Sequence, residues 1–267
     1  MRKKITIVKV GGAIVEDGGK LDELLNRFCA LDGDKILVHG GGRRATKVAS
    51  ALGIESHMVN GRRITDGDML EVVTMVYGGL VNKGVVARLQ ARGVNAVGLT
   101  GADMDVIRSH KRPPVTMAGG DGPVDFGFVG DVDHVDARAL EALLAHGATP
   151  VLAPLTHDGR GHLLNTNADT IASETAKALA KDNDVTLVYS FEKRGVLGRA
   201  DDEESVIPVI TRPDFERLVA EGTVAGGMIP KLENALAAVD AGVSRVVITL
   251  ASAIGTSQGT TICKARP

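Results

Sequence analysis

Tryptophan is absent from this 267-residue chain, and only two Tyr and five Phe are present. Single-stranded nucleic acid is gripped by stacking bases on aromatic rings. A net charge of −2 gives no basic field to attract a polyanion. Nucleic acid is therefore excluded as a partner. Cysteine is scarce as well. Cys29 and Cys263 form no CxxC and read as free thiols of a reducing compartment. His157 and His162 lie close together but without an HExxH or a Cys/His cluster, so no protein-held metal is expected. No uninterrupted apolar run is long enough to cross a bilayer. The N-terminal apolar stretch is broken by Lys9 and two glycines and lacks the cleavage pattern of a signal peptide. These absences describe a cytoplasmic protein with no membrane partner.

Hydrophobic residues make up 44% of the chain and charged residues 24%, enough for a substantial core. Short β-branched runs predict strands over Ile5 to Val10, Lys35 to His39, Asn95 to Leu99, Thr149 to Ala153, Val185 to Ser190 and Arg245 to Leu250. Helical patterns lie between and around them: Lys20 to Leu31, Arg43 to Leu52, Asp66 to Arg92 with a break near Gly78-Gly79, Asp136 to His146, Asn167 to Lys181, Pro213 to Glu221 and Pro230 to Ala241. This alternation predicts an α/β fold, a mainly parallel sheet with helices on both faces. The segment Arg108 to Asp133 is rich in Gly and Pro and predicts irregular hairpins beside the sheet. Asp201 to Glu204 reads as a solvated loop. A soft boundary near 181 divides the chain into lobes 1–181 and 182–267.

One residue stands out against the strand pattern. Lys9 lies one position before the end of Ile5 to Val10, a run that reads as buried on both faces. A buried ammonium without a partner is costly, whereas the carboxyl end of such a strand is where ligands dock in α/β sheets. An anion beside Lys9 reconciles the two. Gly11 and Gly12 follow it. The second strand ends similarly, in His39-Gly40-Gly41-Gly42. One glycine serves a tight turn; three let backbone N–H groups approach an anion at a helix N-terminus. No GxxxxGK[ST] is present, so this is not a Walker A loop. HGGG with Gly255-Thr256-Ser257-Gln258-Gly259 imitates a serine hydrolase, but no histidine follows Ser257, and that reading fails on chain order.

Three further segments carry unusual polar residues. Pro230 suits a first helical position, which puts Lys231 in the first turn against the helix dipole. Asn165, Asn167 and Asp169 exceed what one N-cap needs. Arg62 and Arg63, beside the Asn60-Gly61 turn, suit capture of a carboxylate, though exposed arginines explain them equally well. Two lysines against local preference, a glycine anion loop and a poised aspartate describe phosphoryl transfer by positioning and charge neutralisation.

KVGGAI at Lys9 to Ile14, VHGGG at Val38 to Gly42, NGRRITD at Asn60 to Asp66, VNK at Val81 to Lys83, GLTGAD at Gly98 to Asp103, NTNADT at Asn165 to Thr170 and GGMIPK at Gly226 to Lys231 follow one another along nearly the whole chain. In this order and spacing they resemble the amino-acid kinase family, and within it the kinases of N-acetylglutamate in arginine biosynthesis. The resemblance implies a three-layer α/β/α sandwich, with acylglutamate bound by the N-terminal lobe and MgATP, as co-substrate, by the C-terminal lobe. It implies that Lys9 and Lys231 neutralise the transferring phosphoryl group, that Asp169 orients both lysines, and that Gly11, Gly12, Gly41 and Gly42 donate N–H groups. Arg63, Asn165 and Asn167 fall on the substrate side; Ser190, Lys193, Gly195, Gly227 and Met228 fall on the nucleotide side. Two departures stand out. Phe191 follows Ser190 where relatives usually carry Asp, so Glu192 or Lys193 takes over that contact. Arg43 and Arg44 follow the glycine loop, where a cation suits an extra carboxylate such as that of N-succinylglutamate. The first strand begins near residue 5, without the N-terminal helix of arginine-inhibited hexamers, so the resemblance implies an arginine-insensitive homodimer. The alternatives are a sister kinase acting on aspartate, glutamate, carbamate or UMP, and a non-catalytic nucleotide-binding regulator.

Overall fold

A computed structural model of the chain describes residues 2–116, 122–199 and 201–266. In chain order the first half contains β1 (Lys4–Val10), α1 (Gly12–Glu16), α2 (Gly18–Cys29), β2 (Asp34–His39), α3 (Gly42–Ala51), the short pair β3 (Met58–Val59) and β4 (Arg62–Arg63), α4 (Gly67–Val73), a π-helical stretch (Thr74–Val81) and α5 (Asn82–Gln90). Then come β5 (Ala96–Leu99), β6 (Ile107–Lys111), β7 (Val115–Thr116), β8 (Pro123–Val124), β9 (Gly130–Val135), α6 (Ala137–Ala145), β10 (Thr149–Leu152), β11 (Leu155–His157), β12 (Leu163–Asn165) and α7 (Ala168–Leu179). The last part contains β13 (Asp184–Phe191), β14 (Val209–Ile210), α8 (Arg212–Ala220), α9 (Met228–Asp240), β15 (Arg245–Leu250) and β16 (Thr260–Ile262).

Eight strands form the main sheet in the order β14-β16-β15-β13-β1-β2-β10-β5. All neighbours in it are parallel except β15 and β16. The chain leaves β1 toward β2 on one side and returns to its other side as β13, so β1 lies at the point where strand order reverses. A crevice opens there at the carboxyl ends of the strands. Alternate side chains divide between two cores. Ile5 and Ile7 pack with Ile36, Leu187 and the inner faces of α7 and α9. Val8 and Val10 pack with Leu37, Val188 and the helices from α1 to α5. The expected mainly parallel sheet with helices on both faces is therefore present.

The differences from the sequence reading are local. Residues Arg108 to Asp133 hold β6 and β9, strands of a second sheet in the order β12-β11-β6-β9, together with the β7–β8 hairpin; residues 117–121 of that segment lie outside the described ones. The expected break at Gly78-Gly79 is a continuous helix that widens to π geometry, and a Cβ on Gly78 would already touch Leu155 and Thr100 at 3.5 and 3.6 Å. By length and composition alone Gly67–Gln90 could cross a membrane. Its apolar residues Met69, Val72, Val73, Val76, Val85 and Leu89 instead fill the second core. Helix α9 begins at Met228, so Pro230 is its third residue and not its first. Its missing N–H is still among the four that a helix leaves unpaired.

Candidate active site

Lys9 follows Ile5 and Ile7 on one face of β1, in register with Val38 of β2 and Tyr189 of β13. It is 8% exposed. Helix α7 packs on that face, and its N-terminus brings Asp169 Oδ1 to 2.7 Å from Lys9 Nζ. The ion pair resolves the cost of the buried ammonium, because a buried charge persists where it is paired. Asn167 caps α7, its Oδ1 accepting from the N–H groups of Asp169 and Thr170 at 2.7 and 3.3 Å. Tyr189 Oη donates to the Asp169 carbonyl at 3.4 Å. The start of α7 is thus held from two sides.

The glycine turns after β1 and β2 meet backbone to backbone. Gly40 N–H donates to the Val10 carbonyl at 2.9 Å. A Cβ on Gly12 would lie 3.5 Å from Gly41 N and 3.6 Å from Gly42 N; one on Gly41 would strike the Tyr77 ring at 2.9 Å. The tight approach between the turns is at Gly40, where a Cβ would lie 3.1 Å from Gly12 N. A cleft of about 550 Å³ opens beside them, lined by Gly11, Gly12 and Gly42. Across it stand Ser190 from the end of β13, Lys193 and Gly195 from the loop that follows it, and Met228 and Lys231 from α9. The Ser190 hydroxyl is buried there without a protein partner.

Lys231 is exposed, and its Nζ lies 4.6 Å from the centroid of the Phe191 ring. Phe191 in turn stacks on Tyr189, with centroids 6.1 Å apart. The residue that cannot accept a hydrogen bond therefore engages the lysine by its ring face. Asp169 pairs with Lys9 alone; no ion pair joins it to Lys231 among the described residues. The bridge across both lysines that the resemblance implies is half formed.

Arg63 is buried, and its guanidinium ties the β3–β4 hairpin to α3. Nη2 donates to the Gly42 carbonyl at 3.0 Å and to Thr46 Oγ1 at 2.8 Å; Nη1 donates to Ser56 Oγ at 2.9 Å. Arg62 is exposed. Asn165 Nδ2 donates to Thr65 Oγ1 at 2.9 Å. Gly227 precedes the first turn of α9 and is exposed. The fold thus gathers Gly11, Gly12, Gly42, Ser190, Lys193, Gly195, Met228 and Lys231 at one cleft, pairs Lys9 with Asp169 outside its lining, and keeps Asn165 and Asn167 near the start of α7. Arg43 and Glu192 also line the cleft, as do Ala13, Ile14 and Ile248, which the sequence reading did not single out as site residues. The continuation of the Lys9 strand into Gly11-Gly12-Ala13-Ile14 was the available signal for two of them. No group of three or more His, Cys, Asp or Glu side chains suited to a metal occurs among the described residues.

Residues 4–250 match the amino acid kinase family. The chain is 65% identical over 264 residues to an acetylglutamate kinase of Bacteroides thetaiotaomicron, covering 99% of this chain and 100% of that one. It is 64% identical over 264 residues to an acetylglutamate kinase of Bacteroides fragilis, covering 99% and 98%. Among solved structures, smu.665 from Streptococcus mutans superposes with a TM-score of 0.75 at 28% identity, over 98% of this chain and 99% of that one. A parallel sheet whose central strand carries a paired lysine into facing glycine turns, and a family match from β1 to the last residue of β15, lead to one conclusion: this chain belongs to the amino acid kinase family.

Proposed function

We propose that this protein transfers the γ-phosphoryl group of ATP to the side-chain carboxylate of N-acetylglutamate, a step of arginine biosynthesis. A carboxylate oxygen forms a bond to the γ-phosphorus as the bond to the bridging oxygen of ADP breaks, leaving an acyl-phosphate. The observation that carries this reading is the Lys9–Asp169 pair at the strand-order reversal, beside two glycine turns. The identity to acetylglutamate kinases supports the choice of acceptor.

The chemistry suits these residues. The acceptor carboxyl, with a reference pKa of about 4.3, is ionised at neutral pH, so no general base is required. Catalysis reduces to holding three anionic groups in line and spreading their charge. Lys9 and the N–H groups of Gly12, Gly41 and Gly42 meet the phosphoryl group in flight. Lys231, beside the Phe191 ring, stands on the side where ADP departs. Asp169 organises Lys9 and takes no proton. Residues 1–181 hold the acylglutamate, with Arg63 and Asn165 near its α-carboxylate and backbone. Residues 182–267 hold the nucleotide, whose Mg²⁺ arrives with it as co-substrate; Ser190, Lys193, Gly195 and Met228 line its cleft.

A hydroxamate assay with ATP, Mg²⁺ and glutamate, N-acetylglutamate or N-succinylglutamate traps the acyl-phosphate. N-acetylglutamate is expected to give product and free glutamate none. Absence of product with every acceptor, alongside measurable ATP binding, would make the chain a nucleotide-binding regulator instead. A second acceptor reading rests on Arg43, which lines the cleft and has no ion-pair partner among the described residues. A higher kcat/KM for N-succinylglutamate would assign that cation to an extra carboxylate.

The protein is further read as a homodimer. Met75 and Leu80 are 54% and 53% exposed on the helical rod whose other side is core, and a second copy would cover them. Light scattering should give twice the mass of one chain, and Leu80→Glu should shift it toward one. A wild-type monomer at working concentration overturns this reading.

A further inference from the structure

His39 and Asn82 have no part in the chemistry above, yet they join three elements behind the glycine turn. His39 ends β2 directly before Gly40 and is wholly buried; Asn82 opens α5 at 1% exposure. Their hydrogen bonds assign every proton. The Val151 atom in contact is its carbonyl oxygen, which can only accept, so the Asn82 atom 2.9 Å from it must be the amide nitrogen. The same nitrogen lies 3.1 Å from His39 Nε2, which must therefore accept. A neutral imidazole that accepts at Nε2 carries its proton on Nδ1. Nδ1 lies 2.9 Å from the Gly40 carbonyl and donates to it. Burial pushes the His39 imidazole down to about 4, which keeps the ring neutral at neutral pH.

This arrangement is costly to keep. Asn82 Oδ1 is buried without a partner. Residue 98 must be glycine to make room, since a Cβ there would lie 1.9 Å from Asn82 Oδ1. An apolar pair of similar shape would fill the space without an orphaned acceptor. What the polar pair secures is one peptide plane. Gly40 N–H is already held by Val10 O, at 2.9 Å. Holding the Gly40 carbonyl as well fixes the plane that carries the Gly41 N–H, because carbonyl and following N–H share one rigid unit. Three glycines in succession would otherwise leave that donor free to rotate.

We infer that His39, oriented by Asn82, is a positioning residue for phosphoryl transfer: its Nδ1–H holds the Gly40 carbonyl and thereby sets the direction in which the Gly41 N–H is offered to the reacting phosphoryl group. The inference rests on the kinase reading above. Two substitutions separate its halves. In His39→Asn the amide nitrogen stands in for Nδ1 and keeps the bond to Gly40; in His39→Gln the amide reaches toward Asn82 and the bond to Gly40 is lost. His39→Asn should keep kcat within about threefold, while His39→Gln should lose about 10-fold or more in kcat with little change in either KM. Equal losses in the two variants, no loss in either, or a loss confined to KM overturns the inference. A merely structural histidine would lower the Tm of both without separating their kcat values. Nitrogen-15 NMR of the wild-type ring gives a second readout that needs neither variant nor turnover. Nδ1 is expected to be protonated and Nε2 bare, and the reverse tautomer overturns the relay. Failure of the wild type on every acceptor would instead count against the kinase reading, and the ring tautomer would still judge the relay.

Discussion

Replacing Lys9 by alanine is expected to lower kcat for N-acetylglutamate by about 10²–10³-fold while changing either KM by less than about threefold. The asymmetry follows from position. Lys9 does not line the open cleft; it lies two residues before Gly11, 8% exposed and ion-paired with Asp169. On the proposed mechanism a charge placed there acts on the phosphoryl group as negative charge redistributes, more than on substrates at rest. Lys9→Met, which keeps most of the volume, should show the same loss and so assign it to charge. Asp169 Oδ1, which faces Lys9, is buried, but the side chain as a whole is 41% exposed, so the carboxylate left behind can turn toward water and the fold should survive either change. Steady-state kinetics with each substrate varied in turn measure the split. An unchanged kcat with a raised KM would make Lys9 a ground-state anchor and defeat this account. Asp169→Asn belongs to the same test. It should cost less, about 10-fold in kcat, since asparagine still accepts from Lys9. Raising the pH should not restore the activity, because no proton leaves the acceptor during the reaction. Recovery at high pH would identify Asp169 as a base.

Gly98→Ala is expected to destabilise the protein by about 3–5 kcal/mol, the largest effect of any single methyl considered. The added Cβ would fall 1.9 Å from Asn82 Oδ1 and 2.8 Å from Lys83 Nζ. Lys83 is exposed and its end can swing away, giving up one bond to the Gly98 carbonyl. Asn82 has no such freedom. It is buried and donates to both Val151 and His39, so moving it breaks two buried hydrogen bonds. Gly84→Ala is the control: it lies exposed in α5 with nothing within 4 Å of the new Cβ. There the substitution should stabilise by about 0.5–1 kcal/mol through helix propensity. Urea denaturation of the two variants gives the comparison directly. Gly98→Ala within about 0.5 kcal/mol of the wild type would mean that Asn82 is not fixed as described.

Some features could be read from neighbours in the chain alone. Ile5 to Val10 announces a strand buried on both faces, because it is a nearly continuous apolar and β-branched run interrupted only by Lys9, and the glycines after it announce a turn. Helix α7 announces its start through Asn167, which is a cap whatever lies nearby. The two short strands at one side of the main sheet could not be found this way. Val209–Ile210 is two residues long and Thr260–Ile262 three, and such runs are strands only because a neighbour supplies their hydrogen bonds. β6 and β9 read as Gly- and Pro-rich irregular chain for the same reason. The π-helical stretch reads as a break at Gly78-Gly79, since glycine weakens a helix locally and only packing against Leu155 and Thr100 shows that the helix continues.

The sequence by itself determined the alternation of strands and helices, the lysine at the end of a buried strand and the glycine turns, because burial period, helix capping and glycine's freedom act over a few residues. Only the tertiary structure decided the partners. Asp169 meets Lys9 because α7 covers the face of β1 that carries Lys9. Lys231 meets Phe191 because α9 begins opposite the end of β13. Arg63 reaches Gly42, and His39 reaches Asn82, across strand and helix contacts that no local period encodes. Strand order and helix packing bring these groups together from distant parts of the chain, and the geometry of the site is set there.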